Sequence, residues 1–113
     1  MNTRAAIGFA SLMMLCPAVV LAERTSSNSG ASHQLHQHMV QSSEKSKSMN
    51  ITGDVDRDFA KMMADHHRSG IEMAEMYTKH AKSDELKELA QNMIQEQQKD
   101  LRSLDQYASG KQG

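Results

Sequence analysis

His66 and His67 adjoin in a stretch that also holds Met62, Met63 and Met73. Thioether and imidazole are the ligands that suit Cu(I), and imidazole alone also suits Cu(II) and zinc. On a helix, His66 lies one turn from Met62 and Met63 and about two turns before Met73. His67 lies one turn after Met63 and turns to the other flank, towards Ile71 and Ala74. His80 shares the Met62 and Met73 flank farther along. Side chains one turn apart can converge on one ion. A methionine stripe at helical spacing is also ordinary core filler, and Met73 and Met93 fit that reading as well. A histidine in the middle of an inward face is harder to place as filler, because burial costs it unless both ring nitrogens find partners.

A second cluster, His33-x2-His36-x-His38-Met39, reads either as a metal-capture tract or as a soluble polar tail. Glu72 and Glu75 read as a solvated face. Other chemistries lack their residues. No Glu-x-x-His pair of the di-iron bundles is present, and no His-Glu-x-x-His zinc signature. There is no phosphate-cradling glycine loop and no nucleophile elbow. The composition points to a binding protein, not an enzyme.

The chain has 113 residues, enough for one small domain. Arg4 precedes an apolar run over residues 5–21, and Val20-Leu21-Ala22 fits a small-residue cleavage site. Residues 1–22 therefore read as a signal peptide cut after Ala22, which sends the protein to the periplasm or outside the cell. The single cysteine, Cys16, lies inside that run. Met13-Met14-Leu15 before it lacks the small residue of lipoprotein processing, so no membrane attachment is expected after cleavage. The mature chain then has no disulfide and no thiolate site. Net charge is −1, with no basic excess for nucleic acid. Six His and ten Met in so short a chain are the compositional anomaly.

Residues 23–53 are rich in Ser, Asn, Gln and Lys, and read as a mostly disordered Ser/His-rich tail. From Asp54 the pattern changes. Phe59, Met62, Met63, His66, Gly70, Met73, Ala74 and Tyr77 recur by threes and fours, which predicts an amphipathic helix over residues 54–81. Ser83 is an N-cap for a second helix ending near Ala108, striped by Leu86, Leu89, Ala90, Met93, Gln97, Leu101 and Leu104. So short a connection makes the helices antiparallel neighbours. The domain is thus all-α, an antiparallel hairpin over residues 54–109. In that register His66 and His67 lie level with Gln97, either as a buried His–Gln pair or with Gln97 orienting a metal ligand. A lone hairpin encloses no core, so a homodimer closing into a four-helix bundle is expected. A fold-back of the N-terminal segment as a third helix is the other solution.

Residues 56–107 resemble the family of small exported bacterial proteins typified by the CopM copper-binding proteins. The likeness rests on Asp56, Phe59, Met63, His66-His67, Gly70-Ile71 and Met73-Ala74, then on Leu86, Leu89-Ala90, Met93, Gln97 and Asp100-Leu101. It implies a ferritin-like helical bundle and periplasmic binding of copper or silver in metal tolerance. By position it implies Met63, His66, His67 and Met73 as ligands. Leu104 and Tyr107 stand where that family often has Met and then Trp, and longer relatives hold two such hairpins. The expected function is buffering of Cu(I), Cu(II) or Ag(I), with an unknown protein receiving the ion. The alternative is a metal-independent helical stress, chaperone or interaction module.

Overall fold

The computed structural model describes the backbone of residues 17–111 and the side chains from residue 28 onward. Cys16 and most of the apolar run read as a signal lie outside the described residues. The described regular structure is entirely helical: α1 spans Pro17–Lys47, α2 Val55–His80 and α3 Asp84–Ala108. The all-α hairpin expected from the sequence is present as α2 and α3.

Each boundary has a chemical cause. Asp54 caps α2, its side chain accepting from the backbone N–H groups of Asp56 and Arg57, both at 3.1 Å. Asp56 and Asp58 add negative charge in the first turn, where the helix dipole favours it. Ser83 caps α3 by accepting from the Leu86 N–H at 3.2 Å. Between them the chain leaves helical geometry at Ala81, with ψ 133°. At the far end Gly110 adopts φ +70°, which releases the chain from α3 at no Cβ cost.

One correction concerns the N-terminal segment. Residues 23–47, expected to lack fixed structure, belong to α1, which packs antiparallel on α2. The seam is made by Ala31, which is buried, and by half-buried Leu35, His38 and Ser42. These recur at helical spacing, but only Leu35 is a large aliphatic group. A pattern search weighted towards such groups therefore sees a polar tail. Among the described residues, α2 is the helix whose backbone approaches both others, and the backbones of α1 and α3 stay apart.

The core is built of small side chains: Ala31, Ala60, Ala64 and Ala90, with Ile71 the one large member. Full burial of a Val, Leu, Ile, Phe or Met side chain contributes about 1.5–3 kcal/mol. Here Phe59, Met62, Leu86, Leu89 and Met93 all remain exposed. Polar clamps consequently matter more than usual. The Asp58 carboxylate is buried and accepts from the Thr52 N–H at 3.0 Å, the Thr52 hydroxyl at 2.7 Å and the Gly53 N–H at 2.9 Å. It fastens the α1–α2 connection to the start of α2.

Those bonds, the Thr52 hydroxyl foremost, hold the Asp58 carboxyl below its ordinary value of 3.8. A lowered folded value means stability that is fully present above 3.8 and is lost as pH falls through the folded value. Asp58→Asn should therefore lower the melting temperature at neutral pH. Its deficit against the parent should shrink below the ordinary carboxylate range. An equal deficit at acid and neutral pH in thermal melts would show that the ionised clamp is not the cause.

Candidate metal centre

Because the described backbones of α1 and α3 flank α2 and stay apart, a cleft of about 580 Å³ opens between them, with α2 as its floor. Leu35 and Met39 line it from α1. His66, Gly70, Met73 and Tyr77 rise from α2, and Leu86, Ala90, Met93 and Gln97 enter from α3. Two contacts fix the heights. His38 Nε2 lies 2.8 Å from Glu72 Oε2, which sets Met39 beside the turn that carries Met73. Gln97 lies against Gly70, which sets Met93, one turn earlier on the antiparallel α3, beside that same turn. Each helix thus supplies one methionine at a common height, with His66 and Gln97 towards the N-terminal end of α2.

Of the residues expected to form the site, His66 and Met73 line this cleft, and Met39 joins them from α1. The others lie elsewhere. Met62 is 44 % exposed and Met63 half-buried, and neither lines the cleft. His80 borders a separate pocket with Met76 and Asn28, near the α2–α3 turn. His33 and His36 are exposed along α1. His38 faces Glu72, whose side chain stays 65 % exposed on the solvated face expected for it. Asp65, read from the sequence as pointing to solvent, is half-buried and pairs with Arg68 at 3.0 Å, with Lys45 at 3.9 Å.

The two adjacent histidines part company. Their ring centroids are 6.2 Å apart, edge to face. His66 lines the cleft but is exposed, so the buried inward-facing histidine expected from the sequence is not found. His67 lies outside the cleft, and its Nδ1–H donates to the Met63 carbonyl at 2.8 Å. In the neutral ring that bond leaves the Nε2 lone pair free, 3.7 Å from Asp100 Oδ2.

The sequence register sets Gln97 level with His66 and His67, and Arg57 reaching the Ala108 carbonyl at 3.1 Å fits a turn at Lys82. The Gln97 side chain leans towards the N-terminus of its own helix, so its amide rests over Gly70, about one turn farther along α2. A Cβ at Gly70 would overlap that amide, the flexible end of the side chain, which would have to swing aside. A His66–Gln97 hydrogen bond is absent: Gln97 Oε1 is buried and has no partner.

Two residues carry more than their pattern suggests. Met93, which fits core filler, is 46 % exposed and lines the cleft. Met39, from the tract that reads either as metal capture or as a polar tail, lines it from α1. Its signal was present in the sequence: it lies one turn after Leu35, on the same face of α1.

A small all-α domain with a thioether- and imidazole-bearing cleft between its helices is the class of protein the geometry defines. Residues 8–108 match the family described as a domain of unknown function (DUF305), and the chain belongs to that family. The match covers all of α1 as well as the hairpin, so the first helix is part of the family unit. No curated protein and no solved structure matches the chain.

The Gly70–Gln97 contact yields a coupling experiment. Gly70→Ala alone gains helix propensity but displaces the Gln97 amide. With Gln97→Ala already in place, the same change should stabilise by about 0.5–1 kcal/mol. Denaturant unfolding of the four proteins checks this. An identical effect of Gly70→Ala in both backgrounds would show that the two side chains do not share the space.

Proposed function

We propose that this chain binds soft monovalent ions of the copper class, Cu(I) and Ag(I), as a binding and buffering protein and not as an enzyme. The observation that carries the reading is the meeting of Met73 and Met93 with His66 in one cleft. Thioether and imidazole are donors for Cu(I), whereas Ca²⁺ and Mg²⁺ take carboxylate and carbonyl oxygens. None of the residues lining the cleft is Asp, Glu or Cys. A neutral, largely apolar cleft also costs a monovalent ion less than a divalent one. The partnerless Gln97 Oε1 adds a neutral acceptor at the edge of this set.

The proposal extends to place and assembly. The N-terminal pattern ending in Val20-Leu21-Ala22 supports export, where methionine escapes the disulfide chemistry that would claim cysteine. Among the described residues, no helix is long and apolar enough to cross a membrane. Exposed Leu86, Leu89 and Met93 support a homodimer that covers the rim of the cleft. The same exposed rim favours the second reading, a metal-independent module that grips another protein.

Titration of the purified chain with Ag(I), and with Cu(I) under reducing conditions, separates the two readings. The metal reading expects binding tighter than about micromolar. His66→Ala should weaken it by at least about ten-fold, and so should Met93→Leu. Met93→Leu conserves volume and apolar character, so its cost to stability should stay below about 1.5 kcal/mol. Absence of binding, or affinity indifferent to both substitutions, would leave the interaction module as the better account.

A further inference from the structure

We propose that α1 is a metal-responsive clamp: Met39 supplies a sulfur ligand from α1 to an ion held by His66, Met73 and Met93, and metal binding locks α1 onto the hairpin. The inference rests on the soft-metal reading above and adds to it a further ligand and a mechanical consequence.

From residue 28 onward the attachment of α1 to the rest of the molecule is thin. Among the described residues its backbone approaches α2 and not α3. Its buried contribution from residue 28 onward is one alanine, Ala31. Two polar contacts fasten its C-terminal half. One is His38 with Glu72, whose side chain is 65 % exposed. The other is Lys45 with Asp65 at 3.9 Å, and the Lys45 side chain is 70 % exposed. The Lys45 pair is so exposed that it stabilises little, while the His38 side chain is only 18 % exposed. The seam also carries a cost, because His38 Nδ1 is buried without a hydrogen-bond partner. Of the two helices on α2, α1 is therefore the less firmly held.

Met39 is the soft donor that α1 brings to the cleft, and it lies across from the α2 and α3 donors. It is 56 % exposed, so apolar packing does not hold it there. A thioether bond from Met39 to an ion seated on His66, Met73 and Met93 would join all three helices, including α1 and α3, whose described backbones do not approach each other. By linkage, the factor by which docked α1 strengthens metal binding equals the factor by which metal strengthens docking. The ion is then retained while α1 is docked and released when α1 lifts, which suits a protein that passes its cargo on.

Amide hydrogen exchange of the full chain, with and without stoichiometric Ag(I), tests this. Amides over residues 31–47 should exchange about ten-fold more slowly with Ag(I) bound. Met39→Leu keeps bulk and helix propensity but removes the sulfur. It should still bind Ag(I), about ten-fold more weakly by the same linkage, and should show no protection gain in α1. Ag(I) binding to the parent chain without slower exchange in α1 would overturn the clamp and leave the binding site standing. A protection gain that survives Met39→Leu would overturn it as well. No Ag(I) binding at all would overturn both proposals.

Discussion

Small side chains on α2 set how closely its neighbours approach. Gly70 leaves the space in which the Gln97 amide rests, and a Cβ there would make the end of that side chain swing aside. One turn along, Met93 lines the cleft with Met73, and Ala90 is buried. Ala60 and Ala64 are almost fully buried, and they let neighbouring chain approach α2 closely. Close approach of small groups sets geometry well but removes little apolar surface from water.

That trade shapes the whole molecule. Larger apolar groups are left along the cleft rim and at the open end of the hairpin, where Phe59, Leu86, Leu89 and Tyr107 are exposed. The ends are instead secured by hydrogen bonds: Asp54 and Ser83 as caps, Asp58 on the Thr52–Gly53 bend, Arg57 on the Ala108 carbonyl. Capping bonds of this kind contribute about 0.5–2 kcal/mol each. A fold held by such modest terms leaves room for a bound ion to decide whether its most weakly attached helix is docked.

The hairpin was legible because its apolar stripes and caps are strong and local. Phe59 through Tyr77 step by threes and fours, and Ser83 with Asp84 and Glu85 announces a helix start. The division of His66 from His67 was legible too, since adjacent residues on a helix point about 100° apart. The resting place of the Gln97 amide was not, because a long side chain leans along its helix and ends over Gly70, which counting backbone levels leaves out. Helix α1 was hidden for another reason: its inward face is Ala31, Leu35, His38 and Ser42, and a mixed face of that kind resembles a polar linker. With α1 hidden, Met39 could not be grouped with Met73 and Met93.

The account turns on sulfur meeting imidazole in the cleft, and the ligand shell of the bound ion reports this directly. X-ray absorption at the copper edge of the Cu(I)-loaded chain should show a shell dominated by sulfur with one imidazole nitrogen. His66→Ala should remove the nitrogen signature while the sulfur remains. A shell of nitrogen and oxygen alone would contradict the account and move the ion away from Met73 and Met93.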